Sequence, residues 1–336
     1  MNATLECLYR REDLAPVELE GLFAKLVAGK LDPVLLAALL VALKLKGESG
    51  AEIAAAARAL RAASRPFSRP DYDFADCCGT GGDGLGTLNV STGAAFAAAA
   101  CGLPIVKHGN RSVSSQSGSA DVLEGLGVNI HARPETARRC LDEAGICFLL
   151  APDYHPGIAH AMPVRKALAT RTLFNVLGPL VNPARPPCQL VGVYAPELVQ
   201  PVAEALALLD LQSALVVHGD GLDEIALHGP TRAARVVQGQ VEMLVLTPED
   251  AGLPRYPLDA LRGGAARDNA AALMAVLEGE GHDAYKAAIA FNTGALLWVS
   301  GLAGDIGDGT DRARCALEDG LALARLQRLR EVSHGA

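Results

Sequence analysis

Two kinds of apolar run divide the chain. Up to about residue 65 the runs suit helices only. Asp32-Pro33 is an N-cap followed by proline at the first helical position, and it opens a helix over Val34 to Lys46. Ser49-Gly50-Ala51-Glu52 has the form of a capping box ahead of a second helix, Ile53 to Ala63. This part shows no catalytic grouping, and Lys44 and Lys46 read as solvated. Arg65-Pro66-Phe67-Ser68-Arg69-Pro70 then breaks the pattern as a linker or hinge.

From Tyr72 onward, short strand-like runs alternate with longer helical ones. Tyr72 to Ala75 suits a strand, a glycine-rich loop follows, and alanine-rich Gly93 to Cys101 is helical with Ser91 or Thr92 as its N-cap. Pro104 to Lys107 is the next strand, so the unit has the βαβ logic of a parallel sheet. Further strands are expected at Ile146 to Leu150, Leu190 to Tyr194, Ala214 to His218 and Val241 to Leu246. Helices are expected at Pro134 to Ala144, Glu197 to Leu209, Asp268 to Leu277, Ala284 to Val299 and Thr310 to Leu329. Pro163 kinks a helix or starts a new one. Asn292 and Thr293, inside an apolar helix, read as packing or capping residues.

The loop between the first strand and its helix is where the chemistry gathers. Gly79-Thr80-Gly81-Gly82-Asp83-Gly84-Leu85-Gly86-Thr87 allows positive φ and close backbone approach to a ligand. The helix start behind it offers free N–H groups and the positive end of a dipole. Thr87, Asn89, Ser91 and Thr92 add donors, Lys107, Arg111 and His108 stand at the end of the next strand, and Ser112, Ser114, Ser115, Ser117 and Ser119 add hydroxyls. The set forms a cradle for a polyphosphate-bearing ligand. No Gly-Lys-Ser/Thr closes it, so it is not a Walker loop, and the helix starts too late for a dinucleotide fingerprint. Asp223-Glu224, after a predicted strand, suits magnesium beside phosphate, although such a pair alone is usually a solvated turn. Arg165 taken alone reads as a surface ion pair, and His108 as a proton relay or a hydrogen-bonding wall.

Bulk properties narrow the class. A net charge of −8 over 336 residues argues against a general nucleic-acid binder. Half the residues are apolar but only 4% aromatic, so small side chains fill the core. Eight cysteines without a Cys-x-x-Cys pair read as reduced thiols of a cytoplasmic protein. No run is long enough to span a membrane, and the N-terminus lacks the features of a signal peptide.

Gly79-Thr80-Gly81-Gly82-Asp83, Asn89-Val90-Ser91-Thr92, Lys107-His108-Gly109-Asn110-Arg111 and Ser117-Gly118-Ser119-Ala120-Asp121 resemble the signature blocks of the anthranilate phosphoribosyltransferases. The likeness continues through Arg171-Thr172-Leu173-Phe174-Asn175-Val176-Leu177-Gly178-Pro179-Leu180 and Asp220-Gly221-Leu222-Asp223-Glu224, and it covers nearly the whole chain in order. It implies transfer of a phosphoribosyl group from 5-phosphoribosyl 1-pyrophosphate (PRPP) to anthranilate, in tryptophan biosynthesis. The implied fold is a small all-helical domain plus a larger α/β domain with a mainly parallel central sheet, like the nucleoside phosphorylases, with the active site in the interdomain cleft. The helical domain would comprise residues 1–70 joined by about 156–182, and the α/β domain 71–155 and 183–336.

The resemblance further implies that PRPP meets Gly79, Gly82, Asp83, Thr87, Asn89, Val90, Ser91, Thr92, Lys107, His108, Gly109, Asn110, Arg111, Ser112, Val113, Ser114, Ser115 and Ser119. Anthranilate would meet Gly79, Asn110 and Arg165. Two magnesium ions are implied, one on Asp223 and Glu224 and one on Ser91 and Glu224. A homodimer through the helical domain is implied, and association with anthranilate synthase is open to it. Two positions depart from the usual pattern: Ala169 stands where glycine commonly precedes the Arg-Thr block, and Cys78 precedes Gly79. Rival readings are a pyrimidine nucleoside phosphorylase, which is usually longer, and a nucleic-acid-binding relative, which would be basic with eroded motifs.

Overall fold

The computed structural model describes residues 2–112 and 117–335. Four helices come first: α1 (Asn2–Tyr9), α2 (Pro16–Val27), α3 (Pro33–Lys46) and α4 (Gly50–Ala62). Their starts are set by the expected caps. Asp32 accepts from Val34 N and Leu35 N, and Ser49 and Glu52 close a reciprocal capping box. Lys46, expected in solvent, is instead tucked in with its side chain 4% exposed, and its Nζ lies 2.6 Å from Asp13 and 2.8 Å from Glu52. The fully buried Glu52 also accepts from Leu14 N, so this ion cluster pins the α1–α2 connection against α4. Lys44 Nζ donates to Thr170 Oγ1 at 2.5 Å.

The remainder is built on one seven-stranded sheet in the order β3-β2-β1-β4-β5-β6-β7. The strands are β1 (Ala75–Gly79), β2 (Ile105–Gly109), β3 (Ile146–Leu150), β4 (Cys188–Gly192), β5 (Ser213–His218), β6 (Thr231–Val237) and β7 (Gln240–Leu246). The first five pair in parallel, while β6 and β7 add an antiparallel end. Chain order reverses between β1 and β4, the place where open α/β sheets bind ligands at their carboxyl ends.

Helices α5 (Val90–Ala100), α6 (Ser119–Gly125), α7 (Pro134–Ala144), α8 (Ala151–Tyr154), α9 (Met162–Leu168), α10 (Phe174–Leu177), α11 (Val199–Ala207), α12 (Ala266–Leu277), α13 (Asp283–Val299), α14 (Ile306–Glu318) and α15 (Leu321–Ser333) complete the described chain. One apolar cluster joins α5, α7 and α12–α15 to the sheet, and a second joins α1–α4, Ala161 to Val181 and α11 to residues of β4, β5 and β6.

Several expected boundaries shift. The first strand covers Ala75–Gly79 rather than Tyr72–Ala75, because pairing with β4 runs from Ala75 to Gly79. Helix α5 starts at Val90 with Asn89 as its cap, so Ser91 and Thr92 lie inside the first turn. The expected helix over Thr310 to Leu329 is two helices, broken where Gly320 takes φ +69°. Strand β6 carries no period-two signal, because both its faces are covered: Thr231 and Ala233 are buried on one, Ala234 and Val236 on the other, and Arg235 stacks on Trp298 at 4.4 Å. Pro163 starts a helix, α9, as one of its two readings had it.

Candidate active site

The glycine loop leaves β1 at the switch point and takes the conformation its residues suggest. Gly81, Gly82, Gly84 and Gly86 have φ of +64°, +81°, +80° and +61°. Gly79 differs: it is in the strand, and its lack of a side chain serves close approach. A Cβ there would sit 2.1 Å from Asp223 Oδ2, and one on its neighbour Gly192 would sit 1.6 Å from the Asp223 carbonyl oxygen. Two glycines on adjacent strands thus open the slot that admits Asp223.

Asp223 and Glu224 lie against the loop and the helix start behind it. Asp223 Oδ2 accepts from Gly81 N at 2.6 Å, and Glu224 Oε1 accepts from Ser91 N at 3.1 Å. Burial, then the neighbouring Asp83, drives the Asp223 carboxyl well above its ordinary range. Burial, then Asp223, pushes Glu224 up to about 8. Three oxygen-donor carboxylates that oppose one another's ionisation form a site that gains from a cation. Among the described residues no three acidic, histidine or cysteine side chains enclose a common metal position. That fits magnesium, a hard ion that takes one or two carboxylates and draws its other oxygens from phosphate and water. It does not fit a metal needing an all-protein cage.

The phosphate side is less basic than the sequence suggests. Lys107 is 2% exposed, and its Nζ donates to Cys77 O at 2.6 Å and to Ser91 Oγ at 3.3 Å. Burial works against its charge, but the surrounding Cys77, Cys78, Asp76 and Glu224 raise its pKa overall. Its role in the free protein is to hold Ser91 and to balance the acidic groups. Arg111 grips Glu124 with both terminal nitrogens, at 2.8 and 3.0 Å, and Asp121 at 3.0 Å. Helix α5 has no side-chain cap bond, and Thr92 Oγ1 in its first turn is buried without a partner. At this start Leu88 O takes Val90 N and Glu224 takes Ser91 N, so the orphan Thr92 hydroxyl is the feature that asks for a further hydrogen-bonding ligand.

His108 does not bring charge. Its Nδ1 lies 3.2 Å from the Gly178 carbonyl oxygen, which can only accept, so Nδ1 holds the proton. Burial, then the adjacent His155, lowers its pKa to about 3. Between roughly pH 6 and pH 9 the activity profile should therefore contain no His108 ionisation. A His108→Gln variant is expected to keep the shape of the wild-type kcat profile, and loss of one limb in the variant would restore a proton-relay role.

Gly109 ends β2 with room for neither more nor less, since a Cβ would meet Ser119 Oγ at 2.3 Å. Asn110 Oδ1 accepts from Arg111 N, and its carbonyl accepts from Ala120 N. Ser112 N donates to Asp121 Oδ2 at 3.0 Å. Val113, Ser114 and Ser115 lie outside the described residues.

Arg165, on α9, has no acidic partner within ion-pair distance among the described residues. Its guanidinium sits 5.1 Å from the centre of the Phe174 ring, and burial lowers its pKa. The surface ion pair is thus absent. A half-buried cation with no counter-ion is placed to receive one. The same stretch of chain reaches the glycine loop through Arg171, whose Nη2 donates to Gly82 O and whose guanidinium stacks on Tyr194 at 4.3 Å. Tyr194 N in turn donates to Thr80 Oγ1 at 3.0 Å. The sequence places Arg171 at the head of a signature block but gives it no role at the site.

Residues 2–64 match the helical bundle domain of the glycosyl transferase family, and residues 71–323 match its a/b domain. The anthranilate phosphoribosyltransferase of Aeromonas hydrophila is 54% identical over 99% of this chain and 98% of its own length. That of Sorangium cellulosum is 56% identical over 99% and 96%. The chain belongs to the anthranilate phosphoribosyltransferase family. The crystal structure of the Thermus thermophilus enzyme superposes with a TM-score of 0.93 at 42% identity, covering 99% of both chains. The Saccharomyces cerevisiae enzyme in complex with PRPP and Mg gives 0.90 at 29% identity, covering 99% of this chain and 98% of that one.

Family membership removes both rival readings. One departure from the family's usual pattern falls where glycine would be favoured. Ala169 ends α9 with φ +48°, the left-handed conformation in which glycine is the favoured residue. The other, Cys78, lies in β1, and nothing in the structure explains the choice.

Proposed function

We infer that this chain transfers the 5-phosphoribosyl group of PRPP to the amine of anthranilate, giving N-(5-phosphoribosyl)anthranilate and pyrophosphate for L-tryptophan biosynthesis. The observation that carries the reading is the joining of two half-sites. An acidic, glycine-walled cradle at the sheet's switch point is tied by Arg171 to the segment bearing an unpaired Arg165.

The chain need supply no nucleophile. Anthranilate's aromatic amine is neutral at ordinary pH, and its lone pair forms the new bond to ribose C1. The C1–O bond to pyrophosphate breaks, the oxygen leaves with the electron pair, and the amine's proton passes to solvent. Magnesium, held by Asp223, Glu224 and Ser91, would offset charge on the pyrophosphate. Two ions per subunit are part of this reading. The Thr92 hydroxyl binds a phosphate oxygen, and Gly79 to Thr87 lines the ribose side. Lys107 keeps Ser91 in place. Arg165 takes the acceptor's carboxylate, and because that group is ortho to the amine, holding one aims the other.

Homodimer formation through the helical domain belongs to the same reading, supported by exposed Tyr9, Val17, Val34 and Leu45 on α1–α3. Cytoplasmic placement is supported by eight cysteines that are all free.

Substrate-resolved kinetics test the acceptor assignment. Arg165→Lys keeps the charge but loses the planar fork, and a hydrogen bond to a charged group is worth about 1.5–3 kcal/mol. Use of anthranilate should fall roughly ten- to a hundredfold while PRPP affinity barely changes. Aniline, which lacks the carboxylate, should be a poor acceptor for wild type and variant alike. A lysine variant that loses PRPP affinity and keeps anthranilate use would move Arg165 to the phosphate side.

A further inference from the structure

The loop that carries Asn89 is held from outside every signature block. Leu88 N donates to Leu261 O at 2.9 Å and Gly263 N donates to Gly86 O at 2.8 Å, with Thr87 and Arg262 bridged between them. The two backbones touch, since a Cβ on Gly263 would come within 2.7 Å of the Thr87 carbonyl oxygen. Just beyond, Asn269 in the first turn of α12 is 1% exposed, and both ends of its amide are engaged. Its Oδ1 accepts from Gly264 N at 2.7 Å, and its Nδ2 donates to Asn89 Oδ1 at 2.9 Å. From α13, the buried Tyr285 hydroxyl donates to the Asn89 carbonyl at 3.2 Å.

These contacts decide which way the Asn89 amide faces. A side-chain amide has one accepting end and one donating end. Gly264 N–H is a backbone donor and cannot be reversed, so it must meet the Asn269 oxygen. The Asn269 NH2 then faces Asn89, which must answer with its own oxygen. Its NH2 then lies 3.4 Å from Ser117 O at the segment leading into α6, and the Ser117 hydroxyl donates to the same Asn89 oxygen at 3.4 Å. The polarity of a fixed backbone group is passed through two buried amides to the loop.

We propose that Asn269 is a positioning residue for the donor substrate: it locks the Asn89 amide with its NH2 on Ser117 O, beside the loop where PRPP is read to bind. The proposal rests on that PRPP reading of the loop.

Asn269→Asp is nearly isosteric and keeps the acceptor for Gly264 N. It sets an oxygen against Asn89 Oδ1, so the Asn89 amide turns over and its NH2 is withdrawn. Calorimetry with PRPP and magnesium should show affinity weakened about tenfold, the scale of one hydrogen bond at a binding site. The KM for PRPP should rise in step with the KM for anthranilate little changed, while the buried carboxylate lowers the melting temperature. Asn269→Ala, which buries no charge, should weaken PRPP in the same direction. Because Asn269 acts through Asn89, adding Asn269→Asp to Asn89→Ala should cost no further affinity. Unchanged PRPP affinity in both Asn269 variants, or losses that multiply in the double variant, overturns the proposal. A wild-type protein that binds PRPP but does not use anthranilate would defeat the acceptor reading and leave this cycle to be read. One that binds no PRPP would defeat both.

Discussion

Replacing Asp223 and Glu224 together by Asn and Gln should abolish turnover at ordinary magnesium, by at least about a thousandfold. Asp223 sits in the slot left by Gly79 and Gly192 and accepts from a loop N–H, while Glu224 accepts from an N–H at the α5 start. The amide oxygens can still accept those bonds, so the local geometry should persist. What disappears is the charge that would hold a cation. Burial and mutual repulsion already disfavour that charge, so the double variant without magnesium should melt no lower than wild type. Thermal melting and turnover measured on the same preparation check both halves. Full activity in the double variant at low magnesium would remove the pair from the mechanism.

Gly79→Ala should be nearly as damaging, although alanine is the smallest possible change. The added carbon would lie 2.1 Å from Asp223 Oδ2 and 2.7 Å from its Cγ, closer than atoms can pack. Asp223 must then leave the slot, and PRPP affinity in the presence of magnesium should fall by roughly a hundredfold or more. Gly82 makes the comparison informative. Its φ of +81° strains any side chain, yet the nearest foreign atom to a Cβ there is Arg171 Nε at 3.8 Å. Gly82→Ala should therefore cost less than Gly79→Ala, by calorimetry with PRPP. Equal affinities for wild type and a folded Gly79→Ala protein would refute the slot.

What the sequence discloses divides along a physical line. The caps at Asp32 and Ser49, the positive-φ glycines and the βαβ unit are local, and local rules read them. Asn292 is likewise a packing residue, whose side chain accepts from Ile225 N and donates to Ala288 O. Charges were misjudged because their state depends on distant partners. Lys46 looked solvated until Asp13 and Glu52 were found around it. His108, read as a proton relay or a hydrogen-bonding wall, is buried beside His155 at 5.3 Å between ring centres. Arg111 looked free for phosphate but closes on Asp121 and Glu124. Asn269 and Arg171 reach the loop from residues far along the chain, and no spacing within the loop signals either one.

The most direct test of the central claim is to follow anthranilate fluorescence in the purified protein on addition of PRPP and magnesium, with released pyrophosphate counted in parallel. The fluorescence should fall with one pyrophosphate released per anthranilate consumed, and a chelator should stop both. Fluorescence that stays constant in a folded protein supplied with PRPP and magnesium would contradict the account.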